Sequence, residues 1–444
     1  MRDATLLQKE TGTAEKFGKI LTTPADHRLR TAKHDPASVA LRIARRFCKR
    51  KVVPMKPFAS PDLYDIDSLL TSEERQIRDV VRQFVSKEVM PIIDDCFMND
   101  RFPKHLIPQL AELGTFGSTI QGYGCAGLNP TAYGLIMQEL ERGDSGLRSF
   151  VSVQGALAMG AIANWGTEAQ KQKYLPKMAK GELIGCFGLT EPDFGSNPAG
   201  MVTRARKDGD SYVINGAKTW ITNGGISDLA IVWAKVPEEN DRINGFIVEK
   251  GTKGFSTRDI HKKFSLRASV TSELHFEDCR VSNSQRLDVV GLKGPISCLV
   301  NARFGISWGA LGAAMACYDE ALNYAKTRIQ FDKPIASYQL VQAKLVKMVS
   351  EITKGQLLAL QLGRLKDQNK ATVQQVSLAK MNNVALALDC ARVTRDVLGA
   401  SGVTHEYQCG RHMMNLESVT TYEGTDDIHR LILGEHITGI PAYR

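Results

Sequence analysis

The chain has 444 residues, 43% hydrophobic and 24% charged, which is more than one hydrophobic core organises, so two or three domains are expected. Its formal charge is +9, but residues 1–54 hold 13 Lys/Arg against 5 Asp/Glu and leave the remainder nearly neutral. That excludes a broad basic nucleic-acid face, and no apolar run approaches the ~20 residues of a membrane helix.

Residues 1–54 form a basic N-terminal extension. Ala37–Lys51 fits a basic amphipathic helix of the kind found in targeting peptides. Asp3, Glu10, Glu15, Asp26 and Asp35 argue against that, and Met55 offers an alternative start with an upstream extension before it. Both readings stand, and the segment is expected to be poorly ordered.

Residues 55–181 have helical texture. Thr71-Ser72-Glu73-Glu74 is a capping box ahead of Ile77, Val80, Val81 and Phe84. Gly122-Tyr-Gly-Cys-Ala-Gly127 matches GxGxxG, yet helical texture precedes it and Leu128-Asn-Pro follows. A dinucleotide site needs a strand before that loop and a helix opening on it, so a turn is the better reading.

Residues 182–290 turn to strands and predict a small β-barrel or sandwich. Ser211–Ile214 and Lys218–Thr222 flank Asn215-Gly216 and predict a hairpin. Leu229–Val236, Gly245–Val248 and Thr271–Phe276 add further strands. The run Cys186–Ser196 leaves a strand through Phe187, Leu189 and Thr190, stops at Pro192 and reaches Gly195-Ser196. With Trp220 and Thr222 it makes a platform for a flat, polar-edged ring.

Residues 291–444 return to long helices and predict a helical bundle. Val341, Leu345, Met348, Val349 and Ile352 mark one buried stripe, and Val376, Ala379, Asn383, Leu386 and Cys390 another. The small-residue stretch Phe304–Tyr318 reads as tight helix packing. Arg328 and Phe331, followed by Gln339, offer a cation suited to pyrophosphate. The nine cysteines lack CxxC and the nine histidines lack HExxH, so no metal site and no disulfide framework is expected.

Thr421-Tyr-Glu-Gly-Thr-Asp-Asp427 places Glu423 between an aromatic ring and a glycine. Desolvation there would raise its pKa toward that of a general base. Alone, such a glutamate is ordinarily a solvated helix-terminus carboxylate.

Together these segments resemble the acyl-CoA dehydrogenase family, over roughly residues 60–440. Gly122–Gly127, Glu139–Arg142, Asp144–Gly146, Arg148-Ser149, Phe264–Ser269 and Gly363–Gln368 are similar to its glutaryl-CoA branch. The resemblance implies an N-terminal all-α domain, a middle β domain and a C-terminal four-helix bundle, with FAD as cofactor. It implies Glu423 as the base that removes the substrate α-proton. Phe187, Leu189, Thr190, Trp220 and Thr222 would surround the flavin ring, with Ser196 near flavin phosphate and substrate. Arg328, Phe331 and Gln339, with Asp396–Gly399 of a neighbouring subunit, would bind the adenine-diphosphate arm, and Thr425 and Asp427 would complete it.

Arg303 would line the CoA channel, and Tyr422 and Gly424 would flank the substrate. Arg148 would grip a distal carboxylate beside Ser149, oriented by Glu141. A homotetramer passing electrons to an electron-transfer flavoprotein follows, cytoplasmic in a bacterium and in the mitochondrial matrix in a eukaryote. A short-chain dehydrogenase or oxidase without decarboxylation stays open, as does a non-catalytic CoA-ester-binding flavoprotein. Pro441–Arg444 lacks a Ser-Lys-Leu-type tail, which weakens the oxidase version. The chain departs from the family at Ala400 within Gly399–Gly402, at Asp332 and at Asn197.

Overall fold

Thr71 caps the first long helix of the structure, a computed structural model that describes residues 58 and 60–442. The expectations for residues 1–54 lie outside the described residues. The Thr71 hydroxyl accepts from Glu74 N while the Glu74 carboxylate accepts from Thr71 N, completing the expected box. This helix, α1 (Ser72–Phe84), runs through a π-helical stretch into α2 (Met90–Met98), and α3 (Ile107–Glu112) follows. The glycine loop 122–127 is a turn: Cys125 N donates to Gly122 O and Leu128 N to Ser118 O. Asn129 then caps α4 (Pro130–Gly143).

Next come α5 (Ser145–Ser152), α6 (Gly160–Trp165) and α7 (Glu168–Ala179). The helical run Ser145–Trp165 is long and apolar enough to cross a membrane, contrary to the reading of the sequence, but 83% of its apolar window is buried inside the protein. It is a core helix carrying Arg148.

The middle region is one sheet: β1 (Gly185–Gly188), β2 (Arg204–Asp208), β3 (Ser211–Thr222), β4 (Leu229–Val236), β5 (Arg242–Glu249), β6 (Phe255–Asp259), β7 (Thr271–Ser282) and β8 (Arg286–Val290). Its order is β6-β7-β3-β2-β4-β5-β8, with β1 parallel on β4. The hairpin expected at Asn215-Gly216 does not form. β3 passes straight through, and its register against β7 shifts between Ile214 and Gly216. Gly216 sits at φ 144° with Thr203 packed where a Cβ would be, so the dipeptide makes a bulge. The Asn215 side chain accepts from Asp278 N on β7. The real turn is Gly209-Asp210, which pairs Asp208 with Ser211.

The C-terminal helices are α8 (Lys293–Thr327), α9 (Gln339–Asp367), α10 (Val373–Leu398), α11 (Cys409–Thr421) and α12 (Asp426–Thr438), with the hairpin β9 (Ile329–Gln330) and β10 (Lys333–Pro334) between α8 and α9. Leu345, Met348, Val349 and Ile352 are buried on α9, and all five residues of the second expected stripe are buried on α10. The glycines of α8 let it approach α4 almost to backbone contact. A Cβ would strike Tyr133 from Gly305, Glu141 from Gly309 and the Gln138 carbonyl from Gly312. At the tip of β9–β10, Phe331 and Asp332 have φ of 48° and 64°, left-handed turn conformations of the kind Asp tolerates. All eight described cysteines are free and buried.

Candidate functional site

Glu423 stands in the short link between α11 and α12. Tyr422 ends α11, and Thr425 opens α12 by accepting from Ile428 N at 3.2 Å. Glu423 and Gly424 both take left-handed conformations, φ 54° and 94°, a strained geometry for a residue bearing a Cβ. A Cβ on Gly424 would lie 3.0 Å from His429 Nε2 and 3.3 Å from Arg303 Nη2, so only glycine fits.

Two buried cations hold this link by its carbonyls. Arg303 Nε, on α8, donates to Glu423 O at 2.7 Å, and Lys380 Nζ, on α10, donates to Gly424 O at 2.8 Å. Glu423 is half-buried as a residue, and its Oε2 is shut from solvent with no hydrogen-bond partner among the described residues. Burial pushes its pKa up to about 7, against the opposing pull of Arg148, Arg303 and Lys380.

Next to it lies a buried polar cluster. Arg148 Nε, on α5, donates to Glu141 Oε2 of α4 at 2.6 Å, and both side chains are essentially inaccessible. Arg148 Nη2 donates to Tyr422 OH, and Ser149 Oγ is 3.3 Å from the same phenol. Nη1 has no hydrogen-bond partner among the described residues. The Glu141 carboxylate holds the guanidinium charged despite desolvation, and burial raises the Tyr422 phenol.

The strand platform, called the rim below, lies at the exits of β1 and β3. Thr219 N donates to Thr190 O at 2.9 Å, bringing the end of β3 beside the exit of β1. Lys218 Nζ underlies both, donating to Leu189 O at 3.1 Å and to Glu191 Oε1 at 2.8 Å. Glu191 also accepts from Val202 N and Thr203 N. Trp220 sits at φ 60° with its residue 61% exposed, a flat apolar face left uncovered. Phe187 is buried behind, against Trp233 at 5.9 Å between ring centroids. Asn223 Nδ2 joins rim to chamber through Phe150 O of α5 and Gly185 O of β1.

The other expected residues lie apart. Ser196 is exposed on its loop, and Arg328, Phe331 and Gln339 are exposed around β9–β10. Asp396 pairs with Lys344, and Gly399 follows α10 at φ 61°. Among the described residues, these last five share no hydrogen bond or ion pair with the Glu423 chamber. Thr425 caps α12 and Asp427 pairs with Arg430.

Three features escaped the sequence reading: Lys380, His429, and the Lys218–Glu191 pair. Lys380 had a signal, since it follows the buried Val376 by one helical turn and precedes Asn383 by another. A lysine inside a buried stripe asks for a reason. Lys218 and Glu191 are far apart in sequence, and only the sheet brings them together.

Residues 71–182 match the family model of the acyl-CoA dehydrogenase N-terminal domain, 186–279 that of its middle domain and 290–438 that of its C-terminal domain. The chain belongs to the acyl-CoA dehydrogenase family. Within it, the chain is 52% identical to a glutaryl-CoA dehydrogenase from Mycobacterium smegmatis, with TM-score 0.84 over 86% of this chain and 99% of that one. A second structure of a glutaryl-CoA dehydrogenase from that organism, in complex with FADH2, is 50% identical, with TM-score 0.85 over 87% and 100%. The short-chain specific acyl-CoA dehydrogenase of Bos taurus mitochondria is 33% identical over 84% of this chain and 92% of its own.

Proposed function

We propose that this protein oxidises glutaryl-CoA with FAD and decarboxylates the product to crotonyl-CoA and CO2, passing electrons to an electron-transfer flavoprotein. The observation that carries the substrate is Arg148. Its guanidinium is fully buried, held by Glu141 and touching Tyr422, the neighbour of Glu423. A pocket for a plain aliphatic chain gains nothing from a buried charge, which is costly without partners. A substrate ending in a carboxylate supplies an acceptor for Nη1.

FAD fits the rim. The uncovered indole of Trp220 offers a flat face, and the exits of β1 and β3 offer backbone and hydroxyl groups at Leu189, Thr190 and Thr222 for the ring edge. Ser196, Thr425 and Asp427 would serve the phosphates and ribityl chain. Arg328, Phe331 and Gln339 lie outside the single-chain chamber, which fits an adenine-diphosphate arm shared between subunits of a homotetramer, with Asp396 of the partner subunit and Gly399 of the partner subunit.

When bound, FAD would supply the acceptor for the hydride that leaves the substrate β-carbon. Glu423 Oε2 takes the α-proton, which the thioester carbonyl has acidified, and a pKa of about 7 leaves the carboxylate about half ionised at neutral pH. Tyr422 and Gly424 border the acyl chain, Arg303 fixes the base's backbone beside the CoA channel, and Arg148 with Ser149 positions the distal carboxylate. After oxidation that carboxylate is vinylogous to the thioester. Its C–C bond electrons enter a conjugated dienolate as CO2 leaves, and the proton held on Glu423 returns to give crotonyl-CoA.

Anaerobic mixing with glutaryl-CoA tests this. The flavin should bleach, with CO2 and crotonyl-CoA released together. Bleaching without CO2 would make the protein a non-decarboxylating dehydrogenase, and equal turnover of butyryl-CoA would defeat the argument from Arg148.

A further inference from the structure

Lys380 is a buried cation that the chemistry above does not use. It projects from α10 with no exposed surface. Its one hydrogen bond goes to a carbonyl, Gly424 O, and no carboxylate lies within ion-pair distance among the described residues. A lysine in the interior without a direct counter-charge lowers stability unless something else requires it. Its helix is rigidly placed there: one turn on, Asn383 Nδ2 donates to Ser307 O of α8 at 2.8 Å and to Gly355 O of α9 at 3.3 Å.

The carbonyl it holds is adjacent to the one Arg303 holds, so consecutive peptide units of the strained Glu423-Gly424 link each end on a buried cation. We propose that Lys380 is a positioning residue for the base, clamping Gly424 so that the Glu423 carboxylate faces the substrate and adding a positive charge that favours its ionised form. This rests on Glu423 acting as the base.

The charges around Glu423 come from every packed element: Tyr133 and Glu141 on α4, Arg148 on α5, Arg303 on α8, Lys380 on α10, Asp426 and His429 on α12, and Tyr422 beside it. His429 is held neutral by burial, its pKa near 3, and burial lifts Tyr133 to about 12. Neither titrates near neutrality. Lys380 itself is lowered by burial to about 8, partly restored by Glu423 and Asp426. Lys380 and Glu423 each favour the other's charged form.

The test uses the holoenzyme and the rate of flavin bleaching by glutaryl-CoA, followed from pH 5.5 to 9. Lys380→Met should move the midpoint for base ionisation up by about one pH unit and lower the plateau rate roughly 30-fold or more, as expected for a misplaced base. Lys380→Gln keeps a donor for Gly424 O without the charge, so it should recover most of the plateau rate with the midpoint still raised. It also keeps the question open to measurement if the Met variant fails to fold. An unmoved midpoint in whichever variants fold overturns the proposal, whatever happens to the plateau. Glu423→Gln separates the two ideas: if it still bleaches, the assignment of the base fails, whereas an unmoved midpoint with a silent Glu423→Gln defeats only the role of Lys380.

Discussion

Arg148 donates through Nη2 to the phenol of Tyr422, the residue immediately before Glu423. That contact couples the group that would read the far end of the substrate to the loop carrying the proposed base. A change at Arg148 should therefore be felt in both binding and chemistry.

Arg148→Met leaves Glu141 with a buried, uncompensated carboxylate, and losing one partner of such a pair costs about 3–5 kcal/mol. The double variant Arg148→Met/Glu141→Gln should regain most of that stability in denaturant unfolding. Both variants should lose roughly 10–100-fold in kcat/KM for glutaryl-CoA relative to butyryl-CoA, the scale of one charge-assisted hydrogen bond. Recovered stability with recovered discrimination would show that the pair serves folding alone.

Gly309 makes room for that pair, because a Cβ on it would overlap Glu141 Oε2. Gly309→Ala must push the Glu141 carboxylate, and Arg148 with it, out of line. Glutaryl-CoA turnover should fall about tenfold or more, with butyryl-CoA turnover affected less. Comparing kcat/KM for the two substrates checks this.

Element type and order were legible in the sequence because caps and stripes are local: the Thr71 box and the α9 stripe need only neighbours one turn away. The Asn215-Gly216 turn was misread for the same reason. Its dipeptide is a hairpin signal locally, but β7 on one side and Thr203 on the other decide that the strand continues with a bulge. The Glu423 link stood out because Tyr, Glu and Gly are adjacent in the chain. Lys380 and the Lys218–Glu191 pair did not, since their meaning lies in partners 44 and 27 residues away. The apolar run carrying Arg148 was underestimated because its small residues dilute the pattern.

The raised pKa of Glu423 gives a pH dependence in two observables. With ionised Glu423 as the proposed base, kcat/KM should fall roughly tenfold per pH unit below about 7 and level off above. For stability the sign is opposite. A carboxyl whose folded pKa lies above its unfolded value of 4.5 favours the folded state fully below pH 4.5, and that contribution disappears as pH rises to about 7. Glu423→Gln should match the wild type in melting temperature at pH 4.5 and exceed it at pH 8, while flavin reduction falls about 10³-fold. Calorimetry at the two pH values checks the first half and anaerobic stopped-flow the second.

Lys218 and Glu191 set the shape of the rim. Lys218 is fully buried and its pKa is lowered to about 8 by burial, opposed by Glu191, so the pair is charged at neutral pH. Its ammonium gathers Leu189 O and Glu191, and Glu191 in turn fixes Val202 and Thr203. Lys218→Met would leave Glu191 buried without its cation, and the backbone at Leu189 and Thr190 would lose its anchor. The expected result is a protein that folds with a lower melting temperature and retains flavin poorly, with bound FAD falling about tenfold or more at a fixed free concentration. The informative partner is Lys218→Met/Glu191→Gln. That double variant removes the unpaired charge while leaving the carbonyl unanchored. It should recover stability but not flavin retention, measured by the ratio of flavin to protein absorbance after gel filtration. Full flavin retention in the double variant would mean that the pair is structural and that the rim is shaped by β1 and β3 alone.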